Sequence, residues 1–200
     1  MTSKEMQQQG YLYPLDPELL NAHNNAKRIT RQLNATLETQ REERKALAKE
    51  LFAFAGEDAY IEPPFHCDFG CNIEVGDNFY ANYNLTVLDC NKVRIGDNVM
   101  IAPNVTITAA GHPIHPDSRR KYEYGIPVTI GNKVWICANV VICPGVTIGD
   151  GSVIGAGSVV THDIPAGVVA FGNPCKVYRE ITEEDRKYYY KDRVFDVEDY

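Results

Sequence analysis

Residues 130–160 read IGNKVWICANVVICPGVTIGDGSVIGAGSVV, and an isoleucine or valine returns in them at every sixth position. The returning positions are Ile130, Ile136, Ile142, Ile148, Ile154 and Val160. Small or β-branched residues lie four places after them, at Val134, Val140, Val146, Ser152 and Ser158. An α-helix needs a period of about 3.6 residues, which this spacing does not satisfy. The pattern predicts a short strand followed by a turn, repeated along the chain.

The same rhythm extends towards the N-terminus. Ile95, Ile101 and Ile107 form an earlier series, and the weaker stretch 73–78 is predicted to be the first coil. Such units stack as a parallel β-helix, in which each hexapeptide forms one side of a triangular coil and its isoleucine points into the interior. The fold class predicted is therefore mainly β.

The corners of such a coil need residues that turn the chain. Glycines that follow the isoleucines, Gly131 among them, are predicted to help the chain round these corners. Asn132 and Asn139 are predicted to tolerate the unusual backbone angles found there.

The flanks are predicted to be helical, because a solenoid leaves open strand edges at its ends that something must cover. Residues 17–34 place apolar side chains on one helical face, and residues 40–55 form a second, charged segment. Thr182 is predicted to cap a short C-terminal helix through Tyr190. The predicted regions are a helical module at 1–58, a β-helix at 59–180 with an inserted loop at 108–127, and a C-terminal helix and tail at 181–200.

The inserted loop begins with residues 108–120, TAAGHPIHPDSRR, which do not follow the repeat. Loops held on a rigid frame often carry chemistry. His112 lies between Gly111, which permits a sharp bend, and Pro113, which favours extended backbone before it. His112 is therefore a candidate general base, and an exposed loop histidine without a catalytic role is the alternative that the residues alone leave open. His115 is predicted to be a loop residue, because one base suffices for the proton transfer.

Composition excludes several classes of protein. The chain has 200 residues, a formal net charge of −7 and a pI near 5.2, so it lacks the basic surface that nucleic acids or anionic membranes require. The polar start and the lack of a long apolar run predict a cytoplasmic protein without a membrane partner. The six cysteines form no C-x-x-C pair, so reduced thiols and no metal site are predicted.

Several motifs together resemble the hexapeptide-repeat acetyltransferases, specifically the galactoside and maltose O-acetyltransferase group. They are Gly111-His112-Pro113, Asn78-Phe79-Tyr80-Ala81-Asn82, Gly172-Asn173-Pro174 and the repeats themselves. The resemblance implies a left-handed parallel β-helix, a homotrimer with active sites between subunits, acetyl-CoA as the donor and a sugar hydroxyl as the acceptor. It also implies direct transfer of the acetyl group with His112 as the general base.

The resemblance assigns further site residues. It places Asn82 beside His112 in catalysis, with the Ala138 N–H as an oxyanion donor. It implies acetyl-CoA contacts at Ala138, Ala156, Thr161, His162, Lys176 and Arg179, and acceptor contacts at Asp16, Asp68, Asn82 and Cys90. Two positions depart from the family pattern: Cys90 stands where some relatives carry an acid, and Asp16 is displaced by one place.

Three other functions are compatible with the sequence. An acetyltransferase of the same fold acting on an antibiotic or another small alcohol is the nearest alternative. A zinc-dependent carbonic anhydrase requires three converging histidines, of which only His112 and His115 are close in sequence. A trimeric scaffold without activity is disfavoured by the presence of His112.

Overall fold

The computed structural model describes residues 1–195 and residue 197. Its helices are α1 (Ser3–Gln8), α2 (Pro17–Asn34), α3 (Arg41–Leu51) and α4 (Pro116–Arg119), with a 3-10 helix at Glu183–Arg186. Its strands are β1 (Phe54–Ala55), β2 (Tyr60–Ile61), β3 (Phe65–Cys67), β4 (Ile73–Val75), β5 (Tyr80–Ala81), β6 (Leu85–Leu88), β7 (Val93–Ile95), β8 (Met100–Ile101), β9 (Thr106–Thr108), β10 (Ala110–Gly111), β11 (Tyr124–Gly125), β12 (Val128–Ile130), β13 (Trp135–Ile136), β14 (Val141–Ile142), β15 (Thr147–Ile148), β16 (Val153–Ile154), β17 (Val159–Val160), β18 (Val168–Phe171), β19 (Lys176–Glu180), β20 (Tyr188–Tyr190) and β21 (Arg193–Val194).

Three parallel sheets form the sides of a β-helix, as the six-residue period predicts. Their strand orders are β1-β4-β7-β12-β15, β2-β5-β8-β13-β16-β18-β19 and β3-β6-β9-β14-β17, with only the last strand of the second sheet antiparallel. Isoleucines meet in register from coil to coil: Ile136, for example, pairs with Ile101 on one side and Ile154 on the other. All three are buried, so the isoleucine series lines the interior.

The β-helix begins one coil earlier than predicted. The first coil is β1 to β3, which precedes the predicted first coil at 73–78 and starts before the predicted boundary at residue 59. Its residue Ala55 pairs with Val75, and Val75 pairs with Ile95, so these coils advance by 20 residues instead of by three hexapeptides. The longer coils break the six-residue period, which explains why the sequence pattern misses the first one.

Gly131 permits close contact between coils, so the turning role predicted for it was wrong, whereas Gly151 and Gly157 do turn the chain in left-handed backbone, with φ of 68° and 71°. A Cβ on Gly131 would lie 2.1 Å from Oδ1 of Asp150 in the next coil, and that oxygen accepts the Asn132 N–H at 2.7 Å. Left-handed backbone also occurs at Lys133 and Asn139, with φ of 55° and 60°. The prediction for Asn139 is confirmed. The prediction for Asn132 was wrong, since its side-chain oxygen accepts the Asp97 N–H at 2.8 Å.

The helical module packs on the same core as the β-helix. Helix α2 has the predicted bounds, and Ala26, Ile29 and Leu33 on its apolar face belong to one buried cluster with the coils. Helix α3 ends at Leu51, earlier than predicted, because the chain becomes extended at Phe52 to enter β1. Helix α1 was not predicted. No helix in the described part of the chain is long and apolar enough to cross a membrane.

The predicted C-terminal helix through Tyr190 was wrong. Thr182 and Asp185 do form the expected capping box, but the helix is a single 3-10 segment that buries no side chain. Asp185 also pairs with Arg179 on β19, and the exposed tyrosines 188–190 form β20, which pairs with β21. Aromatic residues favour strands, and without an apolar face nothing supports a longer helix. Residues 196 and 198–200 of the predicted tail lie outside the described residues.

Candidate active site

The inserted loop is anchored at both ends. After β9 it forms β10, helix α4 and β11 before the chain re-enters the β-helix at β12. Strands β10 and β11 pair antiparallel, with Gly111 opposite Tyr124. The backbone of Glu123 exchanges hydrogen bonds of 3.0 Å and 3.2 Å with that of Tyr13 near the N-terminus. The loop is therefore held by the β-helix and by the N-terminal module together.

His112 has a defined tautomer. Its Nδ1 lies 3.0 Å from the carbonyl oxygen of Tyr122. A carbonyl only accepts, so Nδ1 carries the hydrogen and donates it, which leaves the lone pair on Nε2. The imidazole borders a cavity of about 230 Å³ that is also lined by Tyr13 and Glu123. This arrangement suits a general base.

Gly111 supports His112 by close packing, and the chain makes no sharp bend at Gly111 of the kind predicted. Its φ is not in the left-handed region, but a Cβ there would lie 2.5 Å from the ring of Tyr124. The glycine lets β10 lie directly against that ring on the paired strand β11.

His115 occupies a different position in the loop. It caps α4, where its Nδ1 accepts the Asp117 N–H at 3.4 Å, and 71% of its side chain is exposed. It does not line the cavity beside His112. The structure therefore gives it the role of a helix cap.

A cluster of acids surrounds the Cys90 thiol. Its Sγ lies 3.7 Å from Oδ2 of Asp68 and 3.9 Å from Oε2 of Glu123. Burial and both carboxylates raise the pKa of the Cys90 thiol, and burial raises the pKa of Asp68. Asp68 and Cys90 are thus brought together as the acceptor predictions require. Glu123 was missed, because only the pairing of β10 with β11 distinguishes it from a solvated loop acid.

Asp89 was also missed, and its carboxylate holds the backbone next to this cluster. The side chain is fully buried and accepts backbone N–H groups from Asp68 at 3.0 Å, Phe69 at 2.8 Å and Asn72 at 3.3 Å. Loss of solvation raises its pKa to about 7, although the three hydrogen bonds oppose that shift in part. Asp89 therefore fixes the backbone that presents Asp68.

Asp16 has a local structural partner. Its Oδ1 accepts the Leu19 N–H at 3.0 Å and caps α2, and this hydrogen bond lowers the pKa of its carboxyl. It does not line the cavity beside His112, whereas its neighbour Leu15 does. Its predicted acceptor role stays a prediction.

Asn82, Ala138 and Ala156 each follow a strand of the second sheet and lie at the same corner of the β-helix, with the coil of β8 between Asn82 and Ala138. The Asn82 side-chain oxygen accepts the Tyr83 N–H at 2.8 Å, which leaves its amide NH₂ available. The Ala138 carbonyl accepts the Gly157 N–H at 2.9 Å, so residues 138 and 156 belong to adjacent coils. Within the described chain, the N–H groups of Ala138 and Ala156 donate to no protein group. They form a set of accessible donors beside small side chains.

The other predicted donor-side residues lie towards the C-terminal coils. Thr161 Oγ1 and His162 Nδ1 are 2.9 Å apart on the exposed turn after β17. Lys176 and Arg179 lie on β19. Arg179 pairs with Asp185 at 2.6 Å, which raises the pKa of its guanidinium, whereas among residues 1–195 and 197 no ion pair involves Lys176.

All six cysteines have free thiols in the structure. In the described part of the molecule, no group of three or more histidine, cysteine, aspartate or glutamate side chains is arranged to hold a metal ion.

Comparison with known proteins agrees with this architecture. A family model described as "Bacterial transferase hexapeptide (six repeats)" matches residues 127–162, and a "Maltose acetyltransferase hexapeptide capping motif" matches residues 7–56. The chain is 55% identical over 167 residues to a galactoside O-acetyltransferase of Escherichia coli (strain K12), which covers 83% of this chain and 82% of the relative.

Two solved structures are similar over most of the chain. A galactoside acetyltransferase in complex with coenzyme A superimposes with a TM-score of 0.94 and 48% identity, covering 98% of this chain and 100% of that one. A maltose O-acetyltransferase from Clostridium difficile 630 gives a TM-score of 0.90 and 49% identity, covering 92% and 99%. The fold is a left-handed parallel β-helix, and the protein is an acyltransferase. The chain belongs to the hexapeptide-repeat acetyltransferases, in their galactoside and maltose O-acetyltransferase group, which confirms the resemblance.

Proposed function

We propose that the protein transfers the acetyl group of acetyl-CoA to a hydroxyl of a galactoside, maltose or glucose-type sugar, directly and with His112 as the general base. The observation that carries this proposal is the His112 imidazole, whose Nδ1–H is donated to Tyr122 and whose Nε2 is left free at the edge of a cavity. Acids that suit sugar hydroxyls line or adjoin the same region, at Glu123 and Asp68.

His112 acts on the acceptor. A sugar hydroxyl is a weak nucleophile at neutral pH, and Nε2 removes its proton as the oxygen attacks the thioester carbonyl. The hydrogen bond to Tyr122 becomes stronger when the ring gains that proton, so the backbone stabilises the imidazolium. The same ring then gives the proton to the departing CoA sulfur.

The corner of the coils receives the donor. Acetyl-CoA supplies an activated acetyl group, and the unpaired N–H groups of Ala138 and Ala156 fit its amide-rich arm and the charge that develops on the carbonyl oxygen. The Asn82 amide is the second candidate donor. Thr161 and His162 follow β17, and Lys176 and Arg179 lie on β19, where their positive charges suit the phosphates of CoA.

Direct transfer is favoured over an acetyl-cysteine intermediate. Cys90 and Cys137 are the thiols beside the predicted acceptor and donor residues, and burial raises the pKa of both. A thiol held protonated is a poor nucleophile at neutral pH. His112 therefore activates the sugar hydroxyl without a covalent enzyme intermediate.

We expect a homotrimer in the cytoplasm. On the second sheet, Tyr80, Met100 and Trp135 stack in register as an outward column whose side chains are 36%, 52% and 47% exposed. A contiguous apolar column of this kind is typical of an interface. Light scattering at micromolar concentration should give three times the chain mass of 22.4 kDa, and an active monomer would contradict this expectation.

Removing the two cations of β19 tests the donor side. Lys176→Ala combined with Arg179→Ala should raise the KM for acetyl-CoA more than it lowers kcat, because phosphate contacts far from the carbonyl hold ground state and transition state alike. Since Arg179 already pairs with Asp185, the Lys176 variant alone should account for most of the change. A change in the sugar KM instead would show that the assignment is wrong.

The proposal as a whole is tested by an acceptor panel with acetyl-CoA and a thiol-release assay. Turnover with galactosides, maltose or glucose supports it. Turnover only with hydroxyl-bearing antibiotics would point to the other substrate class, and no turnover with any acceptor would indicate a scaffold without activity.

A further inference from the structure

The acceptor cluster has an unusual composition, because a thiol occupies its centre. Cys90 is 3% exposed and sits between the carboxylates of Asp68 and Glu123. One S–H donates to one oxygen at a time, and sulfur is a weak donor. The thiol therefore cannot donate to both carboxylates at once, so at least one of them keeps an oxygen that can accept a further hydrogen bond.

Glu123 is the acid of the pair that contributes to the wall of the cavity beside His112. It lines that cavity, whereas Asp68 and Cys90 do not. Tyr122, whose carbonyl holds the His112 ring, is the residue directly before it. The backbone of Glu123 is fixed on both sides of its Cα by the two hydrogen bonds to Tyr13. The backbone that carries the Glu123 side chain is thus fixed next to the residue that orients the proposed base.

The wall of the cavity carries three basic side chains and one acid. Arg119, Arg120 and Lys121 line it together with Glu123, so its walls carry both signs. In the described part of the chain, Glu123 forms no ion pair with any of these cations. A carboxylate left without a cation in a mixed-charge cavity is suited to accept a hydrogen bond from a neutral hydroxyl.

We propose that Glu123 is a specificity-determining residue that accepts a hydrogen bond from a sugar hydroxyl other than the one acetylated, and so supplies the acid that position 90 lacks in this chain. This inference rests on the proposed function, because it names the acceptor contact of the same site. The loop thereby carries both the base and the carboxylate that orients its substrate.

The test uses methyl β-D-galactopyranoside and its monodeoxy analogues with acetyl-CoA. Glu123→Ala should raise the KM for the galactoside by about 10- to 100-fold, the usual effect of a lost hydrogen bond to a charged group, with the KM for acetyl-CoA unchanged. One monodeoxy analogue should show the same KM with wild type and variant, because it lacks the recognised hydroxyl. Glu123→Gln keeps the side-chain size and should raise the galactoside KM in the same direction.

A carboxylate moved to the neighbouring position should compensate. Cys90→Asp in the Glu123→Ala background should recover at least part of the lost galactoside affinity. The control is Asp117→Ala, which removes an acid that is 91% exposed in the same loop and should behave as wild type. An equal loss with every acceptor, deoxy analogues included, would show that Glu123 only supports the loop and would overturn its specificity role.

Binding without acetyl-CoA separates the two proposals. Ligand-observed NMR of the galactoside should show weaker binding to Glu123→Ala than to wild type. A wild type that binds through Glu123 but releases no thiol would contradict the proposed function and leave this inference intact. Equal binding by wild type and Glu123→Ala would overturn the inference, and no binding by wild type would overturn both.

Discussion

Replacing His112 by alanine lowers kcat by about 10²- to 10⁴-fold, the usual contribution of a positioned general base, and leaves the KM for acetyl-CoA nearly unchanged. The physical reason is that Nε2 is the free nitrogen of a ring fixed through Nδ1 to Tyr122, and alanine provides no base in its place. Steady-state thiol release with a saturating sugar measures the effect.

His115→Ala is the matched control, since His115 belongs to the same loop and does not line the cavity. Its removal costs only a weak cap on α4 and should leave most of the activity. If the His115 variant is inactive while the His112 variant is active, the two roles in the loop are reversed. If both variants are active, the base lies elsewhere.

The second large effect concerns stability and arises from Asp89. The folded state raises the pKa of this carboxyl to about 7 from an ordinary value of 3.8. Between these two values the folded chain keeps a proton that the unfolded chain releases, so stability is highest at the acid end and falls as the pH rises. Across this window the contribution of Asp89 changes by an amount on the order of 4 kcal/mol.

Asp89→Asn isolates that contribution, because asparagine does not titrate and keeps one oxygen for the N–H groups of Asp68 and Phe69. Urea unfolding at a fixed protein concentration gives the free energy of unfolding of both proteins at each pH. The wild type should lose stability relative to Asp89→Asn as the pH rises from about 4 to about 7. Groups that do not interact with Asp89 titrate alike in both proteins, so parallel curves would contradict the assignment to Asp89.

The regular coils could be predicted from the sequence because an isoleucine or valine recurs on each side of these coils. The spacing that ends at Val160 requires a six-residue step, and the structure pairs Ile142 with Val160 accordingly. The first coil could not be predicted in this way. Its advance of 20 residues adds length at a corner, where turn residues carry no periodic signal.

The candidate site was predicted in part. The loop of His112 could be singled out because it interrupts a strict pattern, but the role of His112 as a base was assigned by resemblance and stays a prediction. Asp68 and Cys90 were also assigned by resemblance, and they lie together in the structure. Glu123 and Asp89 could not be identified, since their roles depend on contacts between residues far apart in sequence. The prediction of a C-terminal helix through Tyr190 was wrong because a capping box specifies where a helix begins and provides nothing that extends it.

The inserted loop leaves the stacking of the coils undisturbed. Ile107 pairs with Ile142 although Ile130, the next isoleucine of the series, lies 23 positions after Ile107. The entropy lost on closing a loop grows only with the logarithm of its length, so replacing a hexapeptide step by this long connection costs roughly 1 kcal/mol. Burial of a single isoleucine contributes about 1.5–3 kcal/mol, which exceeds that cost. The scaffold can therefore exchange one loop for another of different length and chemistry at a thermodynamic cost smaller than that of a typical core mutation.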